Sequence, residues 1–431
     1  MSVNTSVGTS TQTRLTRNQI NGFWASWGGW LLDGFNATVF ALVLAPSMKA
    51  LLPKSGITPT AGHIGFYGSI IFAIFLVGWG LATFWGPVAD RYGRARTLMM
   101  TILMYAVFTF LAAFSQNVWE LALFRFLAGI GIGGEWAMAG TFVAESWPES
   151  RREMGAGYLH SGYYVGILVS AVANYTIGAA FGWRAMFLLG IIPALLVAFI
   201  RWKVQEPDRW VKVENTVKTE KKALLSEIFT PELRRRSWGN ALLLTVAMVG
   251  LWAGTVYLPT AILDLAKTHN IIGTAATHLS SYGVGLLSIF TVIGCLLTPI
   301  IARRWGRRTM LGIWLACMII GVLGTFGLAF YTHSITAFFW FIPILGLGGA
   351  DFAVFTLWLP EQYPTKVRAT AFAFATSVGR FVGAIITFIV GAMVSSMGTL
   401  GLPVDFTAIA FVVGLFLLTM SPETKGTQLP D

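Results

Sequence analysis

Long apolar runs separated by short polar connections dominate the chain. Twelve runs stand out, at about 22–47, 63–88, 97–115, 118–143, 154–180, 183–203, 238–263, 280–301, 309–331, 335–359, 369–397 and 403–421. Crossing a bilayer as a helix takes roughly 20 residues, so each run predicts a transmembrane helix. Continuous apolar runs of this length predict helices rather than barrel strands, because a lone helix satisfies its own backbone in lipid. One segment breaks the rhythm. Residues 204–237 are polar and charged, and they divide the chain into a bundle over 22–203 and a second over 238–421. Short tails, 1–21 and 422–431, flank them.

Composition agrees with this pattern. The 431 residues are 55% hydrophobic and 11% charged, against about 25% charged in soluble domains. The net charge of +11 does not signal nucleic acid, because the basic residues sit in clusters between spans. Arg91, Arg94 and Arg96 follow span 2, Arg151 and Arg152 follow span 4, and Arg303, Arg304, Arg307 and Arg308 follow span 8. Lys366 and Arg368 follow span 10, and ten Lys or Arg lie between Arg201 and Arg236. The alternate connections hold only Lys49, Lys54, Arg184 and Lys267. This bias puts both termini and the middle segment in the cytoplasm of a cell-membrane protein. The first 20 residues lack the apolar core of a signal peptide. Cys295 and Cys317 lie inside spans and give no disulfide or metal pattern. No nucleotide, catalytic-triad or metal motif is present, so neither enzymatic chemistry nor a cofactor is expected. Lipid is the expected partner here and nucleic acid is not, and the chain is expected to act as a monomer.

The halves repeat. Glu145-x-x-Pro148-x-x-x-Arg152 after span 4 returns 216 residues later as Glu361-x-x-Pro364-x-x-x-Arg368 after span 10. Gly86-Pro-Val-Ala-Asp90-Arg91-Tyr-Gly93-Arg94 after span 2 has a counterpart in Ile301-Ala-Arg-Arg304-Trp-Gly306-Arg307-Arg308 after span 8. Two motifs at nearly one offset mark an internal duplication.

These residues resemble the major facilitator superfamily. The loop 86–96 is similar to the family's signature between helices 2 and 3. Arg125-Phe-Leu-Ala-Gly129-Ile-Gly131-Ile-Gly133 is similar to its helix 4 motif, and Ser421-Pro-Glu-Thr-Lys-Gly426 to its tail signature. Gly133-Gly-Glu-Trp136 followed by Glu145-Ser-Trp-Pro148 resembles the sialate/lactate proton symporter branch and related organic-acid symporters. The resemblance implies an all-α integral membrane fold of twelve transmembrane helices in two pseudo-symmetric six-helix bundles. Such bundles rock about a midplane site. It also implies a gating network of Asp90, Arg91 and Arg94 with Glu145, Arg152, Glu361 and Arg368. Arg303 replaces the acid in the second copy, where a solvated basic cluster is the competing reading.

Charges inside spans are costly and mark function by default. Here they are Asp33, Arg125, Glu135, Asp351 and Arg380, with His160 beside them. Arg380 lies twelve residues past Arg368, about 18 Å into span 11 and near the midplane. A charge there costs at least about 3 kcal/mol. It is either half of a structural ion pair or the holder of an anion. Guanidinium binds carboxylate bidentately, which favours an organic acid. The Arg368-to-Arg380 spacing also resembles that of organic anion carriers. Asp33-Gly-Phe-Asn36 is similar to a helix 1 motif of aromatic-acid symporters, with Asn36 in place of a second acid. Asp33 is expected to carry the proton and to alternate with Arg125. A permanent Asp33–Arg125 pair is the structural alternative. Glu135 and Asp351 share the repeat offset, which suggests one structural role for both or, for Glu135, proton coupling. Tyr164 matches Arg380 at that offset, and with His160 and Asn36 it is expected to line the substrate site. The function expected is secondary transport of a small organic anion by alternating access with protons. Alternatives are exchange, uniport, a neutral-metabolite carrier or a non-transporting sensor.

Overall fold

The computed structural model describes residues 16–81, 85, 88, 94–147, 152–197 and 225–426. Among these, twelve helical rods follow one another, one for each expected span. They are α1 (Arg17–Leu51), α2 (Ala61–Gly80), α3 (Arg94–Ala112), α4 (Val118–Ser146), α5 (Arg152–Ala173) and α6 (Trp183–Val197) in the first half. The second half has α7 (Arg234–Thr268), α8 (Gly273–Trp305), α9 (Arg307–Val322), α10 (Ile335–Trp358), α11 (Thr365–Met397) and α12 (Gly401–Met420). The repeat is visible in the rods themselves, since α1 and α7 are both 35 residues long.

Local sequence sets the ends. Thr16 and Gln19 form a reciprocal capping box at the start of α1, which satisfies two backbone donors that the helix leaves unpaired. Thr60 and Ser334 cap α2 and α10 in the simpler way. Gly306 separates α8 from α9 at φ 92°, a left-handed backbone that glycine adopts without Cβ strain. Within spans, hydroxyls such as Thr298, Thr325 and Thr387 donate to the carbonyl four residues back. That is how a polar side chain is satisfied where water is excluded.

Among the described residues, α2 packs along α11, α5 along α8 and against the end of α10, and α1 along α7, which joins the halves. On the side away from the termini, the Ser69 and Tyr257 hydroxyls pair at 3.1 Å and Asn174 Nδ2 donates to Ser281 Oγ at 3.0 Å. The Tyr175 ring stacks on His278 at 3.8 Å between centroids. Closer to the centre, the Tyr164 hydroxyl donates to Gly349 O at 2.6 Å and Ser288 Oγ to the Tyr164 carbonyl. Toward the terminal side, Gly157 lies against Pro299 and Gly80 against Phe381. The polar centre is therefore enclosed between the halves.

Three irregularities were not expected from the apolar pattern. α5 passes through a π-helical turn at Asn174–Gly178, and α9 through another at Leu323–Ala329. α10 breaks at Gly349–Ala350, and its second segment begins with Asp351.

Candidate functional site

Six charged or titratable side chains lie within the spans and all are buried. Asp33, Arg125 and Glu135 expose no surface, Asp351 1%, His160 2% and Arg380 3%. Burial of this extent in a membrane demands partners within the protein, and the partners differ from those expected.

Asp33 projects from α1 next to Glu135 of α4, with Arg380 of α11 within electrostatic reach. No ion pair joins Asp33 to Arg125 among the described residues. Arg125 instead donates through Nη1 to Asn36 O at 3.4 Å, and its guanidinium lies over Phe75 at 4.1 Å and Phe40 at 5.4 Å. In this conformation Asp33 and Arg125 form no ion pair, so the permanent pair is not what the structure holds. Arg125 rests on the α1 backbone and two rings, and the cation facing Asp33 comes from the other half. The physical reason is reach. Arg125 meets α1 at Asn36, nearly a turn beyond Asp33, and aromatic faces hold it there by cation–π attraction.

Arg380 lies over the Trp79 ring at 4.7 Å. Among the described groups, Asp33 and the Tyr163 hydroxyl face it. Tyr163 also faces Asp33 and Arg125, so its phenol stands among three of the central charges. The repeat offset points to Tyr164 as the counterpart of Arg380. In the fold Tyr164 is committed to Gly349 and the seam between halves, and its neighbour Tyr163 takes the central position. Trp79 was missed as well. No pattern in the apolar run of α2 separates it from the other aromatics. The backbones of α1 and α5 cross closely at Gly34 and Gly166, and this crossing places Tyr163 beside Asp33.

Asn36 donates to Leu32 O at 3.0 Å in its own helix, which leaves its Oδ1 without a described donor. His160 pairs with Thr356 Oγ1 at 3.3 Å and stacks parallel to Phe352, with Trp30 and Tyr164 alongside. It belongs to an aromatic wall between α1, α5 and α10. Among the tryptophans of α1 and α10, Trp30 and Trp358 are buried, whereas Trp24 is 54% exposed.

Glu135 and Asp351 share an offset but not an environment. Glu135 lies within the unbroken α4, beside Asp33 and close to Tyr105. Asp351 starts a helix segment at the break in α10, near Cys295 and Tyr164. The expectation of one shared structural role does not describe both.

Near the terminal side, the second signature copy is built into a compact network. Arg307 Nη2 and Nε reach Glu361 Oε1 and Oε2 at 2.6 and 3.0 Å, and Thr424 Oγ1 donates to Glu361 Oε2 at 2.5 Å. Glu423 accepts from the backbone N–H groups of Arg307, Arg308, Thr424 and Lys425 at 3.0–3.1 Å. Partial burial pushes the Glu423 carboxyl up, and these four amides outweigh it, so the group is held below the ordinary glutamate range. A merely solvated cluster does not describe Arg307, whose side chain is 5% exposed. Of the other gating residues expected, Asp90 and Arg91 lie outside the described residues. Arg94, Glu145, Arg152 and Arg368 are placed by their helices alone.

Two six-helix halves around an enclosed polar centre define a membrane transporter rather than an enzyme. Residues 27–387 match the family model of the Major Facilitator Superfamily, and the chain belongs to that family. It is 30% identical over 414 residues to a probable 4-methylmuconolactone transporter of Cupriavidus pinatubonensis (strain JMP 134 / LMG 1197), across 95% of this chain and 92% of that protein. It is 26% identical over 404 residues to the sialic acid transporter NanX of Escherichia coli (strain K12), across 93% of each. The crystal structure of a D-xylose-proton symporter superposes with a TM-score of 0.74 at 19% identity. That match covers 96% of this chain and all of that one, and it establishes the fold.

Proposed function

We propose that the protein carries a small organic carboxylate across the cell membrane by alternating access, coupled to proton entry. The observation that carries this reading is the position of Arg380. A permanently charged guanidinium is buried at mid-depth, steadied by Trp79, and faces Asp33 of the opposite half. The substrate carboxylate and Asp33 compete for one cation. A substrate anion is accommodated at Arg380 when Asp33 is protonated, and an ionised Asp33 displaces it. That competition couples the two ligands without direct contact between them. Tyr163 supplies a hydroxyl to the same point. The names of the relatives support an acidic cargo, since sialic acid carries a carboxylate. The basic connections place both termini in the cytoplasm on this reading.

The test is uptake of a panel of organic acids into proteoliposomes holding the purified protein, with and without an inward proton gradient. We expect accumulation of one carboxylate that requires the gradient. Asp33→Asn is expected to keep exchange down the substrate gradient and lose accumulation. Accumulation by Asp33→Asn at the wild-type level, or transport of neutral sugars alone, would falsify the reading.

A further inference from the structure

We propose that the α8–α9 turn and the chain after α12 form a binding site for the headgroup of an anionic phospholipid. The site lies on the membrane side that carries the termini, and it is independent of the cargo. In the second signature copy Arg303 stands where the first has Asp90. α8 ends on Arg303 and Arg304 in its last turn, and both are exposed. Lys425 of the tail reaches the same turn, where its Nζ donates to Arg304 O at 2.8 Å. Arg308, in the first turn of α9, donates through Nη2 to Thr419 O near the end of α12 at 3.2 Å. Glu423 ties these pieces together, because its carboxylate accepts from the backbone N–H groups of Arg307, Arg308 and Lys425.

The two acids described at this end are already engaged. Glu361 is held by Arg307 and Thr424, and Glu423 by backbone amides. Arg303, Arg304, Arg308 and Lys425 therefore give the turn a positive excess on a fixed backbone frame. Such a frame favours an anion that several cations reach at once.

Two apolar stripes say which anion. On α8, Leu296, Ile300 and Arg304 are spaced four apart and so lie on one helix face, with Ile300 65% exposed. On α12, the exposed Ile409, Val413, Phe416 and Met420 follow one another at helical spacing. That stripe ends beside Thr419, which holds Arg308. Trp305, also exposed, sits at the same end of α8, and indole rings settle at headgroup level. A soluble anion would use the cations and leave both stripes idle. A phospholipid uses both features, with its phosphate between Arg304 and Lys425 and its chains along the helices. Juxtamembrane basic clusters attract anionic lipids in this way. A bound headgroup would hold the tail on the α8–α9 turn, next to the Arg307–Glu361 pair.

Thermal unfolding of the purified full chain in detergent, followed by tryptophan fluorescence, tests this. The additions are phosphatidylglycerol, phosphatidylcholine of the same chains, and inorganic phosphate. Phosphatidylglycerol is expected to raise the midpoint, and the other two are not. Arg304→Gln with Lys425→Gln is expected to need about thirtyfold more phosphatidylglycerol for the same shift, at about fivefold per lost charge. If that double variant does not fold, Arg304→Gln alone, at an exposed position, carries the expectation of about fivefold. Arg234→Gln with Arg235→Gln removes two exposed charges on the same side, at the start of α7, and is expected to leave the titration unchanged. Native mass spectrometry counts bound phosphatidylglycerol on the same proteins and does not depend on their stability. Equal weakening by both doubles would mean diffuse surface charge and overturns the proposal. So does wild-type binding by the Arg304 and Lys425 variants in both measurements. A shift with inorganic phosphate or phosphatidylcholine equal to that with phosphatidylglycerol overturns the anionic lipid as the occupant.

Discussion

Replacing Arg307 or Glu361 separates a built ion pair from a decorative one. The pair is bidentate, at 2.6 and 3.0 Å, with side chains 5% and 10% exposed, and Thr424 adds a bond of 2.5 Å to the same carboxylate. Surface pairs contribute up to about 1 kcal/mol. Removing one partner of a buried pair costs about 3–5 kcal/mol, most of it from the charge left behind. Arg307→Met leaves Glu361 with Thr424 as a donor, and Glu361→Gln leaves Arg307 without its carboxylate, with the Ala302 carbonyl still in reach. Each single change is expected to cost near the lower end of that range, about 3 kcal/mol, because the site touches solvent. The double variant leaves no stranded charge and is expected to cost less than the two singles together by about 1–3 kcal/mol. Unfolding of the detergent-solubilised protein, followed by tryptophan fluorescence in a denaturant series, reads all four corners of the cycle. Additive losses would show that the two residues act independently and would refute the argument that they form one clamp. The clamp ties the α8–α9 turn to the end of α10 and to the tail, so its loss also loosens three helix ends at once.

Two further outcomes follow from the same geometry. Arg380→Lys keeps the charge but gives up the planar fork and the Trp79 stack. The substrate KM is expected to rise about 30-fold or more, for a loss of at least about 2 kcal/mol. A KM within threefold of wild type in counterflow would remove Arg380 from the carboxylate. Glu423 is held below the ordinary glutamate range by four backbone amides. Its stabilisation is present above the unfolded-state value of about 4.3 and is lost as pH falls through the lower folded value. The stability gap between wild type and Glu423→Gln is expected to be open at pH 7 and to close on acidification, and a gap constant with pH would contradict the sign.

The fold was legible because the bilayer enforces a simple rule. An apolar run of sufficient length becomes a helix, and the twelve runs became α1 to α12. The repeat offset was legible too, and α1 and α7 carry it into equal lengths. Partner choice was much less so. Periodicity places Arg125 and Asp33 at similar depth, yet the Phe40 and Phe75 rings hold Arg125 away from the acid. The offset that paired Tyr164 with Arg380 is a relation between helices, and it does not fix which of two adjacent buried tyrosines stands by Arg380. The break at Gly349–Ala350 was hidden inside an apolar run. Its consequence is that the carbonyl of Gly349 meets the Tyr164 hydroxyl.

Charge accounting across the membrane gives the proposed arrangement its logic. A monovalent acid entering a cell held at about −100 mV meets a barrier of about 2.3 kcal/mol, about fiftyfold in accumulation. One proton carried with it removes that term, and a proton gradient then drives uptake. The site must bind the anion and the proton together or not at all, otherwise the gradient leaks. Arg380 alone would bind the anion at any pH, and Asp33 alone would bind a proton without cargo. Facing each other from opposite halves, each occupies the other when the site is empty. That is why the decisive feature is the electrostatic opposition of Arg380 and the α1 acid across the interface between halves. An Asp33–Arg125 pair within one half would couple the proton to helix packing and leave the substrate cation uncontested.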